Sequence, residues 1–430
     1  MTRHLIVLLT VLFWGATATL HGGPHLGPFI NVWLETGVDN SEPAIAYNSL
    51  HDEYLVVWTD FPNMGAYMSI QARRVSGDGT LLSYFTIFHE FGSQCLRPDV
   101  AYSSVQDEYL VVYDCTTSAS IGFDILARRI TWNGEDLHLP PYQEFRVGRP
   151  DASGDQGGPA VTYNENNDEY LVVYGNSWPS HYDIDAVRVR ASDGTQPSWS
   201  NIASGASQFR FLPDVAHCGS SNLYLIAYTY RPSPGDPGDI LGKVASWNMS
   251  DISPEIHVCD DANNQHDVTV TATPDEFLTV WEDQPDVSTT EIYARRVAND
   301  GTPLGPGGGF FIAGLLARHD GAPSVAHGPG SGYLVVWQRE ITPFSDHDVF
   351  GRYAIPGQDN AAGSEFAVDN DAMWQKEPAV ACATNGDCLM VEADNSVGGD
   401  FEIRGRLVMV HIFSDGFESG NLTAWSAHTR

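Results

Sequence analysis

The chain has 430 residues, with 55 Asp and Glu against 22 Lys and Arg, so its formal net charge at pH 7 is −33. A surface this acidic repels nucleic acid and anionic lipid, which argues against both as partners. No apolar run reaches the about twenty residues that a transmembrane helix needs, so membrane insertion is not expected. The 41 Gly, the 25 Pro and the 11% of aromatic residues favour an all-β protein with many turns.

Residues 1–18 have the features of a signal peptide. Arg3 and His4 form a short basic segment, residues 5–14 are apolar, and residues 16–18 form a small-x-small cleavage site. The sequence therefore predicts a secreted or cell-surface protein whose mature chain begins at residue 19.

One motif recurs along the rest of the chain. Residues 52–58 read Asp-Glu-Tyr-Leu-Val-Val-Trp, a β-branched and aromatic run too short for a helix and bounded by turn residues. This form predicts a strand that is buried on both faces. Six further copies, some less regular, occupy residues 107–113, 168–174, 223–228, 275–281, 332–337 and 387–392.

Each copy is the second of four predicted strands in a longer repeat. The first strand usually begins at Pro, carries small residues on one face, and occupies residues 43–47, 98–102, 159–163, 213–217, 266–270, 323–327 and 378–382. The third begins with an acid that is often followed four places later by a base, as in Asp124 and Arg128, and we expect these two residues to form ion pairs. The fourth follows a tight turn. Four antiparallel strands in each of seven repeats predict a seven-bladed β-propeller.

The two ends of the chain are expected to meet in the last blade. The seventh repeat lacks a fourth strand, whereas residues 29–36 form an isolated predicted strand ahead of the first repeat. We expect this N-terminal strand to complete blade seven, closing the ring and removing an open sheet edge. The propeller would then span residues 19–411, with a tail at 412–430, and we expect a monomer.

Two resemblances follow from these motifs. The pattern Pro-Ala-Val-Ala-Tyr, Asp-Glu-Tyr-Leu-Val-Val-Trp, Asp-Ile-x-Ala-Arg-Arg-Val and Asp-Gly-Thr resembles the propeller repeats of large secreted bacterial proteins. The end of the chain, Asp-Gly-Phe-Glu-Ser-Gly at 415–420 with Trp425, resembles a short terminal tail of many exported bacterial proteins. The tail resemblance implies a role in export or surface display, and the alternative is an edge peptide packed on blade seven. Neither resemblance implies a reaction.

The six cysteines of an exported protein are candidates for disulfides. Cys95 precedes the first strand of blade two and Cys115 follows its second strand, so an antiparallel hairpin places them opposite each other. Cys382 and Cys388 have nearly the same register in blade seven. Cys218 and Cys259 are paired only by elimination.

The predicted working surface is the face that carries the long connections between second and third strands and between blades. These loops differ from blade to blade, and variable loops on a rigid scaffold are where binding sites are built. Exposed aromatic side chains beside acids would suit stacking on sugars or gripping a peptide, and the alternative is that each aromatic only packs its own loop. The candidate ligand-binding residues are Trp178, His181, Tyr182, Tyr230, Arg231, Arg339, Phe344, His347 and Trp374.

Two oxygen-rich segments are candidates for calcium, although neither has EF-hand spacing. They contain Asp260, Asp261, Asn263, Asn264 and Asp267, and separately Asp394, Asn395 and Asp400. No other cofactor is expected, because the chain contains no nucleophile elbow, zinc-protease motif or phosphate loop.

The leading functional prediction is a non-catalytic propeller that binds an extracellular glycan or protein through its variable loops. The alternative is a propeller glycoside hydrolase or lyase that acts on extracellular polysaccharide. The second function requires convergent carboxylates, or His and Arg, at the channel mouth, so an unrepeated acid pair with a raised pKa in one pocket would distinguish it from the first.

Overall fold

The computed structural model describes residues 24–35, 37–62, 67–116, 122–134, 144–148, 154–178, 180–330, 332–342, 346–395 and 399–409. The predicted signal peptide at 1–18 and the predicted tail at 412–430 lie outside these residues, so the domain boundaries stay predictions. The regular elements of the described chain are all β-strands. The described residues contain no helix that is long and apolar enough to cross a bilayer.

The strands are numbered in chain order, beginning with β1 (His25–Trp33). Blades one to three are, from the innermost strand outwards, β2 (Val38–Asn48), β3 (Glu53–Pro62), β4 (Ser69–Ser76) and β5 (Leu81–Phe88); β6 (Gln94–Ser103), β7 (Glu108–Thr116), β8 (Asp124–Thr131) and β9 (Phe145–Arg146); β10 (Gln156–Asn164), β11 (Glu169–Trp178), β12 (His181–Arg190) and β13 (Trp199–Ala203). Blades four and five are β14 (Phe209–Cys218), β15 (Leu223–Arg231), β16 (Asp239–Ser246) and β17 (Ile256–Cys259); β18 (Asn264–Ala272), β19 (Glu276–Asp286), β20 (Thr289–Ala298) and β21 (Phe310–Ala313). Blades six and seven are β22 (Asp320–Gly328), β23 (Gly332–Thr342), β24 (Asp346–Ala354) and β25 (Ala361–Asp369); β26 (Gln375–Cys382), β27 (Cys388–Asp394), β28 (Glu402–Met409) and β1.

Strand β1 is the outermost strand of blade seven, although it begins the described chain. It pairs antiparallel with β28, from His25 opposite Met409 to Trp33 opposite Ile403. The predicted seven-bladed propeller and its closure by an N-terminal strand are therefore confirmed, with the strand at His25–Trp33 in place of residues 29–36.

The apolar cores lie between neighbouring blades. Seven buried clusters each draw their residues from two adjacent blades. In β3, Tyr54, Val56 and Trp58 pack towards blade seven, whereas Leu55 and Val57 pack towards blade two. This arrangement confirms that the repeated motif is a strand buried on both faces, and it explains why the motif is apolar without alternation.

The ion pairs expected within the third strands are a wrong prediction. Residues four apart in a strand are about 13 Å apart, too far for contact. The arginines instead reach the outermost strand of the preceding blade: Arg73 donates to the carbonyl of Val32 at 3.0 Å and Arg406 to that of Val368 at 2.7 Å. Equivalent bonds join Arg295 to Val258 and Arg352 to Ile312. The repeated base therefore joins one blade to the next.

Two of the three cysteine pairs follow the prediction. Cys95 is bonded to Cys115 and Cys382 to Cys388, in each case across directly opposite positions of paired strands. Cys218 and Cys259 are free and buried. Pairing them by elimination was wrong, because Cys218 ends the innermost strand of blade four and Cys259 ends its outermost strand.

Candidate functional site

A repeated backbone irregularity surrounds one end of the central channel. Each innermost strand contains a bulge near its start, and the residue at the bulge has a φ between 46° and 60°. We call these seven positions the bulge ring, and the end of the channel that they surround the mouth. The ring consists of Glu42, Arg97, Gly158, Leu212, Asp267, Ala322 and Glu377. The backbone geometry repeats sevenfold, but the side chains do not.

Side-chain oxygens of one blade hold the bulge of the next blade. The Glu42 N–H donates to Oε2 of Glu377 at 2.8 Å, and the Arg97 N–H donates to Oε2 of Glu42 at 2.8 Å. The remaining bonds of this kind run from Gly158 to Asp114, from Ala322 to Glu282 at 2.6 Å and from Glu377 to Gln338 at 2.9 Å. Five of the seven joints between blades are therefore closed by a side-chain acceptor within the described residues.

Blade five brings an acid pair and a histidine together at the mouth. His266 lies directly opposite Glu282 in the β18–β19 pair, and Asp267 is the bulge residue that follows. Nδ1 of His266 is 3.3 Å from Oδ2 of Asp267 and 3.4 Å from Oε2 of Glu282. The Glu282 side chain is 11% exposed and the Asp267 side chain is 43% exposed. One acid is therefore enclosed while its neighbour faces solvent.

The pKa values in this cluster depart from their usual ranges. Burial raises the pKa of Glu282, and the charge of Asp267 raises it further. Burial lowers the pKa of His266, but the hydrogen bond to Asp267 and the charges of both acids outweigh burial and raise this pKa overall. Glu282 therefore holds a proton at a pH at which an ordinary carboxyl group has lost it.

A second pair of acids lies at the junction of blades seven and one. Burial and the charge of Glu377 raise the pKa of Glu42, against bonds from the Arg97 N–H and the Thr59 hydroxyl. Glu377 is itself held by Lys376, whose Nζ is 3.1 Å from Oε1. The Glu377 carboxylate accepts the Glu42 N–H and the Glu42 carboxylate accepts the Arg97 N–H, which closes two joints between blades. This acid pair therefore has a structural role in the ring.

The cluster in blade five also has the donor set of a cation site. One ligand atom from each of His266, Asp267 and Glu282 lies within 4.8 Å of the others. In the predicted calcium segment that contains Asp267, the side chains of Asn263 and Asn264 donate hydrogen bonds to Asp283 and Gln284 of β19. In the other segment, Asp394 binds Arg404. Calcium binding stays a prediction.

Five of the predicted ligand-binding residues lie on blades three and four. Trp178 stacks on His181 with ring centroids 6.0 Å apart. Tyr182 packs edge-on against Phe209 and lines a cavity, while Tyr230 lies under the Arg210 guanidinium and Arg231 lies over the Phe211 ring. The structure thus gathers Tyr182, Tyr230 and Arg231 beside the mouth.

The other predicted residues do not join this group. Arg339 is a correction: it lies within strand β23, is 2% exposed, and is bound by Asp320 and Glu365. His347 and Trp374 pack against each other at blades six and seven, with ring centroids 5.0 Å apart. Phe344 lies outside the described residues.

Sequence reasoning missed Glu282 and the bulge ring. Glu282 directly follows the repeated motif, where the other blades carry Thr59, Asp114, Gly175, Thr229, Gln338 and Ala393. Comparing the seven repeats column by column would have shown that only blades two and five carry an acid at this position.

No protein-family model matches the chain, and no curated protein matches it. Among solved structures, it resembles a protein of unknown function from Dyadobacter fermentans DSM 18053, with 11% identity over 90% of this chain and 99% of that chain and a TM-score of 0.56. The GH93 α-L-arabinofuranosidase of Fusarium graminearum in complex with arabinobiose gives 12% identity, coverage of 89% and 98%, and a TM-score of 0.46. The α-L-arabinanase of Penicillium chrysogenum in complex with arabinobiose gives 14%, coverage of 57% and 79%, and 0.39. The likeness to the Dyadobacter protein shows the fold alone.

The prediction of a non-catalytic binding protein is wrong. Of the mark set for a hydrolase, an unrepeated acid pair with a raised pKa in one pocket, the neighbouring acids are present at Asp267 and Glu282, and the pKa of Glu282 is raised. The alternative, a propeller glycoside hydrolase, therefore becomes the proposal.

Proposed function

We propose that the protein is a glycoside hydrolase that acts on extracellular polysaccharide at the mouth of the propeller. The observation that carries this proposal is the pairing of a buried Glu282, whose pKa is raised, with a solvent-facing Asp267. Glycosidases need one carboxylic acid that donates a proton and one carboxylate that attacks or activates water. Blade five supplies both groups on adjacent strands.

Glu282 is the proposed proton donor. Its raised pKa keeps the acid protonated, so it can protonate the oxygen of the leaving sugar as the glycosidic bond breaks. Its Oε1 accepts the Ala322 N–H at 2.6 Å, which fixes the carboxyl group between two blades. The carboxyl group is therefore already held in place before substrate binds, and the side chain needs no rearrangement to donate its proton.

Asp267 is the proposed nucleophile. One oxygen of Asp267 and one of Glu282 lie within 4.8 Å of each other, which fits the close pair of retaining glycosidases (about 5 Å) better than the roughly 6.5–9.5 Å of inverting ones. Asp267 would attack the anomeric carbon as Glu282 gives its proton to the leaving group. Water activated by the ionised Glu282 would then release the sugar from Asp267, so the anomeric configuration is retained.

The disulfides support an extracellular location for this reaction. The Cys95–Cys115 and Cys382–Cys388 bonds belong to the class of structural disulfide that persists in oxidising compartments. An extracellular enzyme meets polymeric glycans, and an open channel mouth admits a polymer chain more readily than a closed pocket does.

The test is a hydrolysis screen on the secreted protein with arabinan, galactan, xylan, glucuronoxylan, mannan and pectin, scored by reducing ends. We expect Glu282→Gln and Asp267→Asn to lower turnover by at least 100-fold with unchanged unfolding midpoints. Asp275→Asn, an exposed acid of blade five, is the matched control and should keep full activity. Proton NMR of the first product should show retention. Turnover that survives both variants, or a wild-type protein inactive on every polysaccharide, would refute the proposal.

A further inference from the structure

Blade three lacks side chains where the other blades fill the mouth. Three glycines occupy its bulge and the opposed pair beside it: Gly157, Gly158 and Gly175. At the Gly175 position the neighbouring blades carry Asp114 and Thr229, and at the Gly158 position they carry Arg97 and Leu212. One sector of the bulge ring is therefore empty of side chains.

The empty sector is a cavity of about 320 Å³. Its walls are Tyr182, Phe211 and Leu212, and its polar groups include Arg97, Asp155 and Arg210. Tyr182 and Leu212 are 38% and 40% exposed, so both are accessible from solvent. This volume lies at the lower end of the about 300–1,000 Å³ of small-molecule sites, and aromatic walls with a few polar groups are their usual lining.

The same glycines remove a hydrogen-bond acceptor. In the five closed joints, the acceptor comes from the preceding blade, either from its bulge residue or from the residue after its motif. For Leu212, the bulge residue of blade four, both of these positions are glycines, Gly158 and Gly175. The Leu212 amide therefore has no side-chain oxygen of this kind to bind.

In most of the closed joints, the acceptor that the Leu212 joint lacks is a carboxylate. Four of the five closed joints use an Asp or a Glu, and one uses Gln338. The cavity is also locally rich in arginine, in a chain with 22 basic residues against 55 acidic ones. Arg97 and Arg210 line it and are paired with Asp114 and Glu255.

Arg231 links the cavity to the acid pair. Its guanidinium lies 5.2 Å from the centroid of the Phe211 ring, and its charge lowers the pKa of His266. Within the described residues it forms no ion pair. Asp155 is the one opposing charge among the lining residues, and one of its oxygens is taken by the Phe123 N–H at 3.0 Å. A cation without an ion pair thus lies against the Phe211 wall of the cavity.

We propose that this cavity is a subsite for an acidic sugar, in which the carboxylate of a uronic acid residue occupies the missing acceptor position at Leu212. Arg231 and Arg97 would balance its charge, and Tyr182 would pack on the sugar ring. This inference rests on the proposed hydrolase, since Leu212 of blade four lies one blade away from Asp267 of blade five.

The net charge of −33 limits the kind of acidic glycan. Long-range repulsion disfavours a polyanion, but at about 0.15 M salt it is screened beyond roughly 8 Å, so an isolated carboxylate is recognised by its local partners. The subsite therefore fits a polysaccharide that carries scattered uronate groups on a neutral backbone, as in glucuronoxylan, better than polygalacturonate.

The first test compares ligands that differ only in the carboxylate. We expect glucuronate and galacturonate to bind at least 10-fold more tightly than glucose and galactose in saturation-transfer NMR titrations. Equal binding of acidic and neutral sugars would mean that a hydroxyl group occupies the position, and would overturn the assignment of an acidic sugar. Binding of none of the four would overturn the subsite.

The second test fills the acceptor position from within the chain. Gly175→Asp places a carboxylate where blade two carries Asp114, and an added Cβ meets only the Gly157 carbonyl oxygen, at 3.4 Å. This variant should abolish uronate binding and raise the unfolding midpoint, because the Leu212 amide gains its partner. Arg231→Gln should weaken uronate binding at least 10-fold. The control is Arg190→Gln, an arginine of blade three that is 53% exposed and outside the cavity, and it should change nothing.

These measurements separate the subsite from the proposed reaction, because binding requires no turnover. Unchanged uronate binding in both Gly175→Asp and Arg231→Gln would overturn the subsite, even if the wild-type protein hydrolyses polysaccharide. Uronate binding that is lost in both variants would support the subsite, even if no polysaccharide is cleaved and the hydrolase proposal fails.

Discussion

The closure of the ring by β1 predicts a large effect of two small truncations. Ile30 and Val32 are 8% and 0% exposed and belong to the cluster between blades seven and one. Replacing both by Ala removes five buried carbons, which at about 0.8 kcal/mol each amounts to about 4 kcal/mol before any cavity cost. This is a large fraction of the about 5–15 kcal/mol that keeps a typical domain folded.

The assay is urea unfolding followed by tryptophan fluorescence, together with size-exclusion chromatography. We expect the double variant to unfold at a clearly lower urea concentration and to form oligomers, because loosening β1 exposes the edge of β28. Leu34→Ala, 45% exposed just beyond the strand, is the control and should leave both measurements unchanged. A double variant that stays monomeric with an unchanged midpoint would refute closure as a source of stability.

Three further predictions test the fold. Peptide mapping without reduction should recover the two bonded pairs and find two free thiols, and any disulfide that includes one of those thiols would contradict the structure; the residues are Cys95, Cys115, Cys382, Cys388, Cys218 and Cys259. Tyr109→Ala should cost about 3–5 kcal/mol, measured by urea unfolding, because the fully buried ring lies between blades one and two. Glu392 is fully buried, and burial followed by the charge of Asp369 raises its pKa, so its contribution to stability is full below about pH 4.3 and is lost as the pH rises through the raised pKa. Glu392→Gln should therefore gain stability over the wild type as pH rises, and parallel pH profiles of the two unfolding midpoints would contradict this.

The blades could be predicted from the sequence because their information is repeated and local. A run such as residues 52–58 specifies a strand by its own composition, and seven copies average out the irregular ones. The disulfide between Cys95 and Cys115 followed from hairpin register for the same reason. Arg339 could not be placed in this way, because β23 continues to Thr342, well beyond the end of the motif, and turns an expected loop residue into a buried partner of Asp320.

The bulge ring escaped prediction because it breaks a local rule. Six of its seven residues precede Pro, a position that disfavours helical backbone and favours extended strand, yet all seven adopt a left-handed φ. Leu212 and Glu42 do so without the freedom of glycine, at a cost of order 1–3 kcal/mol each. The hydrogen bonds that offset this cost are accepted by side chains of the neighbouring blade, as when Glu377 accepts the Glu42 N–H. They therefore depend on ring closure rather than on local sequence.

The same dependence explains why the candidate site is found where the joints differ. Where a joint needs only an acceptor, any suitable side chain serves, and Asp114 and Gln338 are both used. At blade five the acceptor is Glu282, which also has an acidic neighbour in Asp267, so one residue both closes a joint and holds a proton. In Glu282→Gln the amide oxygen should still accept the hydrogen bond from the Ala322 N–H, but the side chain can no longer donate an acidic proton. This variant therefore separates the structural role of the residue from its chemistry.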